Sequence, residues 1–246
     1  METDEFSEKI GRLTQSDAYL QYCEEVYGYK EYLFNMMDKA QIDFVLNSIS
    51  ISAEDTLLDL GCGSGSMLNL LVAKYGCHGV GIDRLDRAIL DRGGNRIAYI
   101  NADIDALSEC SIRPTITLSI DSLYFINDLN GLVRKLTTAK NNRMYFFYSQ
   151  YLVDEAAEDE SILERNNTKI ALALQNNEIP YETIEYSENE RLLYKNSLRV
   201  LEKFKKAFAA EENADLYAQK FQQDLMGMKL YDKGLARRYL YIINGV

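Results

Sequence analysis

The feature that most constrains this chain is the run Leu57, Leu58, Asp59, Leu60, Gly61, Cys62, Gly63, Ser64, Gly65, a short apolar strand that ends in three alternating glycines. Glycine is required where a backbone turns sharply and must approach a ligand with no Cβ in the way. A helical pattern from Ser66 to Tyr75 follows at once, so the unit reads strand, glycine turn, helix. Its surroundings repeat the rhythm. Thr56 to Leu60, His78 to Asp83, Arg96 to Asn101 and Thr115 to Ile120 read as strands, with helices between them, the second from Asp86 to Asp91 and ended by Gly93 and Gly94. This alternation implies βαβ units and a parallel sheet.

Further along, a helix near Asn127 to Thr138 precedes Met144 to Tyr148, an aromatic run suited to a buried central strand. Beyond it lie a polar stretch from Gln150 to Glu160, an amphipathic helix near Ile162 to Asn176, and a strand from Pro180 to Tyr186. A long segment from Glu188 to about Lys233 carries apolar residues at helical spacing before a last strand, Arg238 to Ile243. Arg237 and Arg238 are expected to edge that strand. The first fifty residues also look helical, with an amphipathic stretch from Glu31 to Leu46. The expected architecture is α/β, a seven-stranded, mostly parallel, doubly wound sheet. Residues 1–50 form an N-terminal helical cover, 51–187 the core, 188–234 a helical lid inserted before the last strand, and 235–246 that strand.

Composition narrows the partners. With 27 basic and 38 acidic side chains the net charge is −11, which repels phosphate backbones and argues against nucleic acid. Cys23, Cys62, Cys77 and Cys110 show no metal-ligand spacing, and the acidic N-terminus is unlike a secretory leader. Free thiols in the cytoplasm, and no bound metal, are the expectation. No apolar run is long enough to cross a bilayer.

The acids that follow the glycine turn carry the next step. Gly81, Ile82 and Asp83 place a carboxylate at the end of the second strand, where it can accept hydrogen bonds from a ribose diol. Asn101, Ala102 and Asp103 put another acid after the third strand. From Leu57 to Asp121 the chain resembles the nucleoside-binding half of class I S-adenosylmethionine-dependent methyltransferases, which have a Rossmann-like fold. That resemblance implies S-adenosylmethionine as cofactor. Asp59 and Gly61 would flank its methionine part, with Cys62, Gly63 and Gly65 shaping the loop. Asp83, with Arg84 beside it, would hold the ribose hydroxyls, and Asp103 with Ile104 would meet the adenine. Ser119 to Tyr124, including Asp121, would line the floor beside the transferred methyl.

Rival readings fare less well. A nicotinamide site wants glycine at the sixth position of G-x-G-x-x-G, where this chain has Ser66, and no Tyr-x-x-x-Lys spacing occurs. The only histidine, His78, begins the second strand, opposite the ligand edge. The fourth strand is followed by Asp121, Ser122, Leu123 and Tyr124. That is neither the diproline of enzymes acting on base amines nor the paired glutamates of protein arginine methyltransferases, so a small-molecule acceptor is expected. By likeness to small-molecule methyltransferases, Tyr19, Tyr22 and Tyr27, together with Tyr124, would contact it. No catalytic base is identified. A hydroxyl acceptor normally needs one, whereas a deprotonated amine does not, which favours N-methylation and leaves C- and O-methylation open. A different class of reading is a catalytically silent methyltransferase-like module that binds the cofactor or a partner. The sequence leaves oligomeric state open.

Overall fold

The first strand of the protein, β1 (Thr56–Leu60), lies inside the sheet, and β2 (His78–Asp83) and β4 (Ile116–Ile120) pair with it in parallel on either side. The structure is a computed structural model that describes residues 3–85, 94–109, 112–152 and 159–245. Outside β2 lies β3 (Ile97–Asn101), and beyond β4 come β5 (Arg143–Tyr151), β7 (Ala236–Ile243) and the edge strand β6 (Glu182–Glu185). The order β3-β2-β1-β4-β5-β7-β6 makes seven strands, with only β7 antiparallel to its neighbours. This is the doubly wound, mostly parallel sheet expected of a Rossmann-like methyltransferase fold.

Both faces of the sheet are covered, and the strands read accordingly. Leu57, Tyr145 and Phe147 point to one face; Leu58, Leu60, Met144, Phe146 and Tyr148 point to the other. The first face is packed by α2 (Asp17–Tyr27), α3 (Lys39–Asn47), α4 (Ser66–Tyr75) and, from the C-terminal insert, α7 (Ser187–Ala210) and α8 (Ala214–Asp232). The second is packed by α5 (Leu129–Thr137) and α6 (Lys169–Asn176). Helix α1 (Thr3–Leu13) sets Ile10 beside Cys62 and Leu85, and Arg12 pairs with Asp215 at the start of α8.

Several expectations need correction. The amphipathic stretch from Glu31 to Leu46 is not one helix. Gly28 takes the left-handed conformation (φ 77°) that ends α2, and Asp38 starts α3 by accepting the Gln41 N–H at 2.9 Å. Residues 29–38 between them form an irregular strap. After β3 the expected helix is a 3₁₀ segment, Ile104–Glu109, and the stretch from Ile162 to Asn176 is a 3₁₀ turn, Glu160–Leu163, followed by α6. The helix expected from Asp86 to Asp91, its terminator Gly93, and Cys110 lie outside the described residues. Arg238 does not edge a strand. Because β7 is inserted between β5 and β6, its side chain is wholly buried.

Candidate functional site

The carboxyl ends of β1, β2 and β4 open onto a cavity of 570 Å³, the place where open α/β sheets bind ligands. Asp59 from β1, Asp83 from β2 and Ile120 from β4 line it. The glycine turn brings Gly61, Cys62, Gly63 and Ser64 to its wall, Ser66 and Met67 open α4 there, and Tyr32, Leu33, Phe34 and Asn35 of the strap close the remaining side.

The turn has its shape because of its glycines. Gly61 sits at φ 73°, and a Cβ on it would fall 2.2 Å from the Ser122 hydroxyl. At Gly65, φ 76° and the N-cap of α4, a Cβ would fall 2.2 Å from the Tyr99 hydroxyl. Gly65 therefore shapes the turn from behind and does not itself line the cavity.

Asp83 is oriented by backbone. Its Oδ2 accepts the Gly63 N–H at 2.8 Å and its Oδ1 the Leu85 N–H at 3.0 Å. A carboxylate offers about four acceptor positions, so these backbone bonds leave acceptor capacity on a carboxylate that lines the cavity, an arrangement that suits a diol. Burial raises the Asp83 pKa, and the N–H bonds from Gly63, Leu85 and Arg84 oppose that rise. Asp59 is more deeply placed, and burial first, then the nearby charge of Asp83, push it up to about 7. Such a group is half-ionised near neutrality and becomes fully charged when a cation arrives beside it. The same burial, with Asp59 and Asp83 adding to it, raises the Cys62 thiol far above its ordinary value, so Cys62 is a neutral wall residue and no nucleophile. Arg84 and Asp103 face each other at 3.6 Å at the cavity edge. Asp103 also accepts the Asp105 N–H, and Ile104 lines the cavity beside Gly61.

Asp121 lines the cavity as well, in a left-handed conformation (φ 56°) uncommon for a residue with a side chain. Its carboxylate is saturated. Oδ1 accepts Arg238 Nη1 at 2.6 Å and the Tyr124 hydroxyl at 3.2 Å; Oδ2 accepts Arg238 Nη2 at 3.1 Å and the Met36 N–H at 2.9 Å.

Of the residues singled out in the sequence, Asp59, Gly61, Cys62, Gly63, Asp83, Arg84, Asp103, Ile104 and Asp121 come together on the cavity. Ser119 does not. It is buried within β4, where its hydroxyl donates to the Leu60 carbonyl. The expected aromatic wall is also displaced. Tyr19, Tyr22 and Tyr27 are buried behind the strap: Tyr19 donates to the Leu33 carbonyl (2.6 Å), Tyr27 to the Asn35 carbonyl (3.2 Å), and Tyr22 bonds with Ser197 (2.6 Å). Tyr124 is occupied by Asp121 and the Ser149 N–H. The cavity's aromatic lining comes instead from Tyr32, Phe34 and Phe125. The first two were hidden by the mistaken helix, although Asp38 followed three residues later by Gln41 is a capping signal that marks where that helix begins. Among the described residues no residue of α7 or α8 lines the cavity; the insert packs on α2 and the sheet. Nor is any group of three His, Cys, Asp or Glu side chains placed to hold a metal ion among them.

A strand-end cavity beside a glycine turn and a carboxylate is the arrangement in which Rossmann-like sheets bind nucleotides. A family model described as a methyltransferase domain matches residues 29–213, and the chain belongs to that family, whose class I members use S-adenosylmethionine as methyl donor. No curated protein sequence matches it. Among solved structures, the fold is similar to the cyclopropane synthase MmaA2 from Mycobacterium tuberculosis, with 13% identity, 97% of this chain and 98% of that one covered, and a TM-score of 0.71. The phosphoethanolamine N-methyltransferase 2 of Haemonchus contortus, solved with phosphomonomethylethanolamine and S-adenosylhomocysteine, also scores 0.71 at 14% identity, over 98% of this chain and 60% of that one. A methyltransferase from Geobacter sulfurreducens in complex with S-adenosylhomocysteine matches at 13% identity and 0.60, covering 92% of this chain and 98% of that one. Among the described residues no helix is long and apolar enough to cross a membrane.

Proposed function

We propose that this methyltransferase methylates a small-molecule amine. The observation that carries the reading is the Asp83 carboxylate, fixed by backbone N–H groups where it lines the cavity. Bound there, S-adenosylmethionine supplies a methyl group already activated on a sulfonium. What remains for the chain is to bind, orient and exclude water. Asp83 holds the ribose and Asp59 faces the cationic methionine end. The strap, carrying Tyr32 and Phe34, covers the site, and Ile120, Asp121 and Ser122 form its floor.

The preference for an amine comes from the acid–base inventory. His78, the chain's one histidine, is exposed at the start of β2, at the end of the strand remote from the cavity. Asp121 stands at the floor with both carboxylate oxygens engaged by donors of the protein itself. An acceptor that brings its own lone pair suits such a site. The Haemonchus neighbour is itself an N-methyltransferase, which supports the reading.

The test is S-adenosylhomocysteine formation with a panel of amines, phenols and unsaturated lipids. Turnover is expected with amines, at a rate that climbs with pH as the acceptor loses its proton. Turnover confined to phenols or alkenes overturns the amine assignment. Tight cofactor binding with no turnover across the panel favours the silent module instead.

A further inference from the structure

The site accounts for Asp121 as a floor residue but not for what sits behind it. Arg238 and Glu190 are both fully buried, one on β7 and the other on α7. The guanidinium forks onto both Asp121 oxygens, and it also reaches the Ser149 hydroxyl (2.9 Å), Glu190 Oε2 (3.4 Å) and, through Nε, Gln41 Oε1 (2.7 Å). Glu190 in turn accepts from the hydroxyls of Ser149, Tyr151, Tyr194 and Tyr231. Burial alone would lower the Arg238 pKa; Asp121 and Glu190 outweigh it, and the group stays charged.

These contacts converge on the end of the strap. Asp121 accepts the Met36 N–H, the Tyr194 hydroxyl lies 2.8 Å from Met36 Sδ, Asn189 donates to Asp38 (2.6 Å), and Gln41 is on the first turn of α3. Asp121 also holds a left-handed backbone, a state that persists where surrounding contacts over-determine it. We propose that Arg238 is a positioning residue for methyl transfer: gripping Asp121 and Gln41 from inside, with Glu190 as its counter-charge, it latches the strap over the cavity. The C-terminal insert then serves the site without touching it, because α7 supplies Glu190, Asn189 and Tyr194 to the latch. A planar fork is needed to span these partners, which a lysine ammonium does not do.

The inference rests on the reading of the cavity as a methyl-transfer site, so the test has one arm that needs no acceptor. Hydrogen exchange is measured on the full chain of wild type and Arg238→Lys, alone and with S-adenosylhomocysteine. The latch predicts that amides of residues 32–36 exchange about tenfold faster in the variant, the size of one lost charge-assisted hydrogen bond. Amides of β1 and α4 stay within about twofold. With an accepted amine, kcat falls by about tenfold and the cofactor KM changes less, because the donor's own contacts are intact. Acceleration below about threefold at 32–36 overturns the proposal, and so does acceleration spread evenly through β1 and α4, which would make Arg238 a core residue only. Should Arg238→Lys not fold, Asp121→Asn, which leaves Arg238 paired with Glu190, carries the same comparison. If the wild type turns over no acceptor, the amine assignment falls while the exchange arm still decides the latch.

Discussion

Asp83 and Asp121 both line the cavity from strand ends on the same edge of the sheet, yet their carboxylates are in opposite states. Asp83 keeps acceptor capacity for the cavity, and its fixed partners are N–H groups of its own loop and of the glycine turn. Asp121 is filled by Arg238, Tyr124 and Met36, partners drawn from β7, the turn after β4 and the strap. The β1–β3 half of the sheet is thus arranged to receive a ligand by local contacts, and the β4–β7 half to hold the cover by contacts distant in sequence. Residue type alone does not separate the two roles; occupancy of the lone pairs does.

The largest expected effect follows from the open carboxylate. Asp83→Ala removes a charged acceptor from the proposed ribose position and the partner of the Gly63 N–H together. Hydrogen bonds to a charged group contribute about 1.5–3 kcal/mol, so calorimetry should show S-adenosylhomocysteine binding about ten- to hundredfold more weakly, with an unchanged circular dichroism spectrum. A folded Asp83→Ala protein that binds as tightly as wild type would remove the distinction between the two acids.

The same contrast explains what was legible in the sequence. The boundaries of β1, α4 and β2 match the sequence reading residue for residue, because apolar runs and glycines are local signals. Six of the site residues named from that region, Asp59, Gly61, Cys62, Gly63, Asp83 and Arg84, lie on the cavity for the same reason. The other half resisted. The strand expected from Met144 to Tyr148 runs on to Tyr151, and Gln150, the start of the expected polar stretch, is buried in it because β7 pairs with it across nearly ninety residues of sequence. Arg238 read as an edge charge because nothing near it in sequence announces Asp121 or Glu190. The tyrosines of α2 were placed one layer too far forward: their rings are core, and their hydroxyls serve the strap's carbonyls.

Asp59 sharpens the comparison through pH. Its folded pKa of about 7 lies above the ordinary carboxylate value, so between that value and 7 the folded state holds a proton that the unfolded state has lost. Its contribution to stability therefore declines as pH rises through this window and is fully unfavourable above 7. Asp59→Asn should stabilise the ligand-free protein at pH 8 by about 1–3 kcal/mol, the usual cost of a buried polar group lacking compensation, and have little effect at pH 4. Binding runs the other way. A cation beside Asp59 favours the ionised form, so cofactor affinity should drop by up to about tenfold from pH 7 to pH 6. Asp83, also raised, adds to the fall once it too begins to protonate. Calorimetry in buffers of different ionisation enthalpy should detect proton release on binding near pH 7; affinity and proton count that are flat from pH 6 to 8 would place the cofactor's charge elsewhere.

The smallest effect tests whether the α2 tyrosines hold the strap or meet a ligand. Tyr19 is buried, with burial and the neighbouring Cys23, Tyr27 and Tyr22 raising its pKa so that it remains a donor, and its hydroxyl bonds the Leu33 carbonyl at 2.6 Å. Leu33 lines the cavity and Tyr19 does not. Tyr19→Phe keeps the ring, which stacks on Tyr22 and Phe34, and removes only the hydroxyl. The Leu33 carbonyl retains the weaker Cys23 thiol, 3.7 Å away, so the loss in stability should be near 1 kcal/mol. If Tyr19 acts only through the strap, the KM values for donor and acceptor should rise together and by no more than about threefold, because both ligands share the loosened cover. An acceptor KM that rises about tenfold or more while the donor KM stays at the wild-type value would mean that the Tyr19 hydroxyl reaches the acceptor directly. The strap would then have to open further than this structure shows, and the tyrosines of α2 would belong to the receiving half of the molecule.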